Sequence, residues 1–191
     1  MKRAVLVNGV PASGKSTVAR TLTAATGWPL LSLDTIKEAL FAHLGAGDRD
    51  YNRLLGRASY QAIFALAADF SEGSTVVADA WFGFQPREVL NGHLARAGVR
   101  CVAEIWCHAP PDIIGARYSA RLGQRSGGHL GADYVPELIA LAERATPLGG
   151  FPCFDIDTTQ ALDINAVINW LAQTADRPGD TSPPPQPLSL G

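Results

Sequence analysis

The sequence predicts an α/β fold, a parallel sheet covered by helices on both faces, and three observations predict it. Short apolar runs alternate with longer amphipathic stretches along most of the chain. The first apolar run passes through a glycine-rich turn directly into a helical stretch. Acidic residues stand where two later apolar runs end, at the carboxyl ends of strands where parallel sheets bind ligands.

Each element has its own signal. Arg3 to Val7 is a buried strand, and Ser16 to Ala25 is a helix closed by Gly27. Trp28 to Leu33 is a second strand reached through Pro29 and ending at Asp34. Thr35 to Leu44 has Ile36, Leu40 and Leu44 at helical spacing, and Gly45-Ala46-Gly47-Asp48 breaks it. Tyr51 to Phe70 is a long alanine- and leucine-rich helix stopped by Gly73. Thr75 to Ala78 is a strand that delivers Asp79, and Phe82-Gly83-Phe84 is a loop. Pro86 opens a helix to about Ala97, and Gly98 turns into the strand Arg100 to Cys107. Pro110-Pro111-Asp112 opens a helix to about Leu122. The glycine-rich Gly123 to Gly131 follows, then a helix from about Tyr134 to Arg144. Cys153 to Ile156 is the last strand and Ile164 to Ala172 the last helix. This makes residues 1–173 one domain and 174–191, with Pro183-Pro184-Pro185, a disordered proline-rich tail.

Composition narrows the possibilities. At 191 residues, 47% hydrophobic and 18% charged, the chain can bury a full core. A net charge of −2 gives no basic footprint for tight nucleic-acid binding. Cys101, Cys107 and Cys153 form no Cys-x-x-Cys pair, and His108 and His129 lack partners at ligand spacing, so no zinc site or disulfide framework is expected. Met1-Lys2-Arg3 precedes an apolar run too short for a signal peptide, and no segment has the length of a membrane span. The expected location is the cytoplasm.

The turn after the first strand reads Gly9-Val10-Pro11-Ala12-Ser13-Gly14-Lys15-Ser16, the phosphate-binding pattern of a glycine, four free positions, then Gly-Lys-Ser. Gly9 and Gly14 permit backbone angles that let the loop fold into a nest of N–H groups pointing inward. The helix start adds unpaired N–H groups and the positive end of its dipole. Lys15 supplies a cation to the β- and γ-phosphates, Ser16 a hydroxyl ligand for Mg²⁺, and Thr17 a donor to the α-phosphate.

Asp34 is placed to accept the proton of an attacking hydroxyl, or to cap the helix that begins at Thr35. Asp79, after an apolar strand, suits the Mg²⁺-side carboxylate or a contact to substrate. Arg117, Arg121 and Arg125 recur every four residues, so one helix face can present them to a transferring phosphoryl group. With the glycines that follow, residues 117–133 read as a mobile lid. Trp81, Phe82 and Phe84 offer an apolar wall for an acceptor, or core packing, and Lys37 and Arg87 offer charged anchors, or surface charges.

Taken together, Gly-x-Pro-x-Ser-Gly-Lys-Ser-Thr, Leu31-Ser32-Leu33-Asp34-x-x-Lys37, Val76-Val77-Ala78-Asp79 and Arg117-x-x-x-Arg121 resemble the small P-loop kinases grouped with polynucleotide kinases, zeta toxins and chloramphenicol phosphotransferase. The likeness covers about Arg3 to Ile156. It implies a three-layer, nucleotide kinase-like P-loop NTPase with a five-stranded parallel sheet of order 2-3-1-4-5, a helical lid, and ATP with Mg²⁺ as phosphoryl donor. It maps the family's catalytic aspartate onto Asp34 and its lid arginines onto Arg117, Arg121 and Arg125. The family often has Asp-x-x-Arg after the second strand; here the fourth position is Lys37, which weakens bidentate recognition of a substrate phosphate.

The expectation is an ATP-dependent kinase acting on a hydroxyl of a small molecule. Lys15, Asp34, Arg121 and Arg125 would do the chemistry; Gly9, Pro11, Ala12, Ser13, Gly14, Ser16, Thr17 and Arg117 would hold nucleotide. Lys37, Asp79, Trp81, Phe82 and Arg87 would face the acceptor, and Ser16 and Asp79 the metal. The alternatives are a nucleic-acid 5′-end kinase, against which the charge balance argues, a toxin-type kinase, and a regulatory module that binds nucleotide without transfer. Acceptor identity and oligomeric state are not written in the sequence.

Overall fold

The computed structural model describes residues 1–124 and 130–174. Its centre is a five-stranded, all-parallel sheet in the order β2-β3-β1-β4-β5, as the family resemblance implied. The strands are β1 (Lys2–Asn8), β2 (Leu30–Ser32), β3 (Thr75–Ala80), β4 (Val99–His108) and β5 (Cys153–Asp157). The helices are α1 (Lys15–Thr26), α2 (Leu33–Leu44), α3 (Arg49–Asp69), α4 (Arg87–Arg96), α5 (Pro111–Ser119), α6 (Val135–Arg144) and α7 (Ile164–Gln173).

Alternation along β1 assigns the two faces. Ala4 and Leu6 pack with Tyr60, Ile63 and Phe64 of α3 and Leu90 and Leu94 of α4. Val5 and Val7 pack with Val18 and Leu22 of α1 and Val167 and Leu171 of α7. A strand buried on both faces reads as a continuous apolar run for this reason. A third cluster, with Ile114, Tyr118 and Leu138, sits α5 and α6 over Val10 and Ala12 of the glycine-rich turn.

The two basic residues that open β1 are buried because they close helix ends. Lys2 Nζ donates to Ala67 O, Ala68 O and Ala97 O at 2.8–3.0 Å, at the ends of α3 and α4. Arg3 Nη2 donates to Leu171 O at 2.6 Å, at the end of α7. Cations there satisfy orphan carbonyls and oppose the negative end of each dipole.

Boundaries differ from the sequence reading where local chemistry intervenes. The second helix begins at Leu33, because Ser32 is its cap, its Oγ accepting from Thr35 N. The third begins at Arg49, capped by Asp48 Oδ1 accepting from Tyr51 N at 2.8 Å. Asp79 lies inside β3 rather than beyond it. The helix opened by Pro111 stops at Ser119, short of Leu122. Thr174, expected to open the tail, is instead buried at the end of α7, its hydroxyl accepting from Arg3; the rest of the expected tail, 175–191, and Arg125 to His129 of the expected lid lie outside the described residues. No helix among the described residues is long and apolar enough to cross a membrane.

Candidate active site

Strand register brings the site together. Val7 of β1 and Ser32 of β2 both stand beside Asp79 of β3. The turn after β1, the start of α2 and the end of β3 therefore open on the same side of the sheet, at its carboxyl edge. They form one end of a cleft of about 540 Å³ whose walls include Pro11, Lys15, Asp34, Asp79 and Trp81.

The turn is an amide cradle. Gly14 adopts the left-handed region at φ 86° and stands at the α1 N-cap with no side chain capping the first turn. Ala12 is left-handed as well, at φ 67°. Ser13 N donates to Val10 O at 3.1 Å, closing the turn. The first amides of α1 are thus left for an anion. Lys15 is buried, its Nζ only loosely placed at 3.5 Å from Val10 O. A Cβ on Gly9 would collide with Cys107 O and Ser13 Oγ, so the backbone path admits glycine alone.

Two polar clamps that the sequence reading missed hold this turn. Asn8 Oδ1 accepts from Gly9 N at 2.9 Å and Phe82 N at 3.0 Å, while Asn8 Nδ2 donates to Glu104 Oε1 at 2.7 Å. Glu104, fully buried, also accepts from Leu148 N at 3.0–3.1 Å. Desolvation pushes its carboxyl above the ordinary value, and the Asn8 and Leu148 hydrogen bonds pull it back. On the other side, Thr158 Oγ1 lies 2.8 Å from Ser13 O and 3.0 Å from His108 O. Arg117 brackets Thr158, donating from Nη1 to Oγ1 at 2.8 Å and from Nη2 to the carbonyl at 2.9 Å. Thr158 was legible in principle: it follows β5 as Asp34 follows β2. Glu104 gave no signal beyond a charge inside an apolar run.

The carboxylates behave differently. Asp79 is 3% exposed, and its Oδ1 is buried without a hydrogen-bond partner among the described residues. Burial pushes its pKa up; Lys15 and the Ser16 hydroxyl pull it down, and Asp34 pushes it up again. A buried carboxylate oxygen with nothing to accept from, beside a serine hydroxyl, is a donor set suited to Mg²⁺. The residues therefore fit the metal that a triphosphate brings. Asp34, in the first turn of α2 and lining the cleft, is not the cap of that helix, so its carboxylate is not consumed there.

Other expected residues are spread more widely. Lys37 and Trp81 line the cleft; Lys37 Nζ donates to Asn52 Oδ1 at 2.6 Å. Phe82 is 1% exposed in the core beside Tyr60 and Phe64, so it is no cleft wall; Phe84 takes that place. Arg87 donates to Leu148 O and Gly149 O and covers the Phe151 ring at 3.8 Å, so it braces a loop instead of anchoring an acceptor. Arg121 lies past the end of α5, its Nε donating to Arg117 O at 3.3 Å, so Arg117 and Arg121 do not continue one helix face. Thr17 is exposed in the first turn of α1. His108 pairs with Asp155 at 2.7 Å, and Asp157 closes its own turn by accepting from Thr159. Beyond these, the cleft walls carry Arg49, Arg53, Arg57 and Arg144, none of which was singled out from the sequence.

A family model described as an AAA domain matches residues 5–135. Among solved structures, a kinase candidate from Chloroflexus aurantiacus J-10-fl superposes with a TM-score of 0.78 at 26% identity, covering 91% of this chain and 98% of that one. A gluconokinase from Sinorhizobium meliloti 1021 superposes at 0.53 with 20% identity, covering 90% and 91%. A shikimate kinase from Acinetobacter baumannii, in complex with shikimate, superposes at 0.55 with 17% identity, covering 92% and 94%. The last two likenesses concern the fold. No curated protein matches the sequence.

Proposed function

This chain belongs to the AAA domain family, and on that premise we propose that it is an ATP-dependent kinase that phosphorylates a hydroxyl of a small molecule. The observation that carries the reading is the meeting of an uncapped amide cradle, a buried carboxylate with one oxygen unpartnered among the described residues, and a second carboxylate at one end of a small-molecule-sized cleft.

Each residue then has a task. Lys15 and the amides at the start of α1 hold the β- and γ-phosphates, and Thr17 reaches the α-phosphate. Ser16 and Asp79 hold Mg²⁺; a bound cation beside Asp79 reverses the desolvation that raises its pKa. Bound Mg-ATP supplies an electrophilic phosphorus and a stabilised leaving group. Asp34 orients the acceptor hydroxyl and takes its proton. Arg117 fixes the loop of Thr158 against the cradle, on the nucleotide side. Arg121 and Arg125 are the lid arginines that would meet the charge spreading over the transferred group. Lys37 and Trp81, which line the cleft, would face the acceptor.

The test is ADP release by the purified protein with Mg-ATP across a library of hydroxylated metabolites, with the phosphorylated product identified by mass. Acceptor-dependent release that fails in Asp34→Ala supports transfer. Tight Mg-ATP binding with no product from any acceptor, and indifference to loss of Asp34, would show a nucleotide-binding module instead.

A further inference from the structure

The cleft carries more positive charge than moving a phosphoryl group to a hydroxyl requires. The walls bring Lys15, Lys37, Arg49, Arg53, Arg57 and Arg144 against Asp34, Asp79 and Glu137, in a chain whose net charge is −2. Three of the cations come from α3 at i, i+4 and i+8, so they form one row. Residues four apart on a helix are neighbours, and like charges there destabilise it by a few tenths of a kcal/mol per pair. The positions that flank the row are Gly45 and Gln61, and the acids that offset it, Asp50 and Glu137, reach Arg53 and Arg49 but not Arg57. A solvated, purely structural arginine face would normally alternate its charges.

The three arginines are differently engaged. Arg49 is spent on Glu137 of α6, with its Nη2 at 2.5–2.6 Å from both carboxylate oxygens. Arg53 pairs with Asp50 at 3.1 Å, an exposed contact of little strength. Arg57 has no ion pair or hydrogen bond among the described residues, and it is exposed on the cleft wall. Beside it Gly56 is buried and presents no side chain, which leaves the wall open at that point. A guanidinium is a planar fork that matches a carboxylate or a phosphate in two parallel hydrogen bonds. It supplies from α3 the bidentate recognition that Lys37 cannot supply from α2. Leu33, Trp81 and Phe84 give apolar wall for a ring or carbon chain between the two ends.

We propose that the acceptor is a hydroxylated small molecule that also bears an oxyanion group, a carboxylate or a phosphate, gripped by Arg57 with Arg53 beside it while the hydroxyl faces Asp34. This rests on the kinase reading above. It goes beyond that reading in assigning a binding role to α3 and a charge to the acceptor.

The test is ADP release with Mg-ATP on matched acceptors: a set of sugars, the corresponding sugar acids, and the corresponding sugar phosphates. The sugar acids or the sugar phosphates are the substrates, and which of the two is turned over identifies the anion. For that acceptor, Arg57→Ala raises KM at least tenfold with kcat changed less than threefold, and Arg57→Lys recovers part of the loss. Raising ionic strength from 50 to 300 mM raises KM several-fold, as screening of an exposed pair requires. Arg100→Ala, exposed on β4 outside the cleft, leaves KM where it was. Turnover of neutral sugars in preference to their anions, or an anion KM untouched by Arg57→Ala, overturns the acceptor charge while leaving the kinase reading intact. No ADP release from any member, with Mg-ATP bound, overturns both.

Discussion

The two ends of one cleft are built in opposite ways. At the phosphate end Lys15, Ser13 and Asp79 are buried, and main-chain turns, Asn8, Glu104 and Thr158 hold the backbone around them. At the acceptor end Arg53 and Arg57 are exposed on a helix surface, held by one exposed ion pair or by none among the described residues. The difference teaches where specificity can vary. Geometry set by backbone and buried hydrogen bonds cannot change without unfolding its surroundings. Geometry set by exposed side chains can be re-aimed at little cost in stability. On the proposed reading, the donor site is tied to the fold and the acceptor site is carried on it.

That contrast can be broken from the phosphate end first. Lys15→Ala removes the cation aimed at the transferring phosphates, and acceptor-dependent turnover should fall about a thousandfold by steady-state ADP release. A fall of less than tenfold would detach Lys15 from the chemistry. Gly9→Ala should lower stability by about 3 kcal/mol and abolish nucleotide binding, because the new Cβ collides with Cys107 O and Ser13 Oγ in a left-handed backbone. Urea denaturation checks it; unchanged stability would mean that the cradle is less rigid than its hydrogen bonds imply. Arg117→Ala releases both bonds to Thr158 and should weaken Mg-ATP binding about tenfold by calorimetry, with the fold intact.

The smallest effect is a pH slope. Desolvation holds the folded Glu104 carboxyl above its ordinary 4.5. Its contribution to stability is therefore fully present below about 4.5 and is lost as pH rises through the raised folded value. Glu104→Gln stays neutral at every pH and lacks that slope. The Tm of the variant should gain on wild type as pH rises from 4.5 toward 8. Parallel Tm curves over that range would show that Glu104 titrates as an exposed acid does.

The same division governs how much could be read from the residues. The cradle was legible because Gly9, Gly14, Lys15 and Ser16 are demanded by backbone angles and charge at fixed spacing. The parallel sheet was legible from strands buried on both faces, and its order followed from resemblance. Asp34 and Asp79 were found because strand ends converge, a rule that also holds for Thr158 after β5. Phe82 was misplaced because an aromatic residue beside a site has the same composition whether it faces the cleft or, as here, Tyr60. Arg87 was misplaced because the bonds that tie it to the loop, to Leu148 O and Gly149 O, go to main-chain atoms that no side-chain pattern announces. The row Arg49, Arg53, Arg57 has the spacing that drew attention to Arg117, Arg121 and Arg125. Only the packing of α3 beside α2 and β3 reveals that it borders the cleft.

The central claim is that the cradle aims a phosphoryl group at the Asp34 carboxylate. Asp34→Asn keeps the size and polarity of the side chain and removes its basicity. Measured side by side, Mg-ATP affinity by calorimetry should stay within threefold of wild type while acceptor-dependent ADP release falls at least a hundredfold. Release that survives the substitution, or nucleotide affinity that collapses with it, would contradict the account.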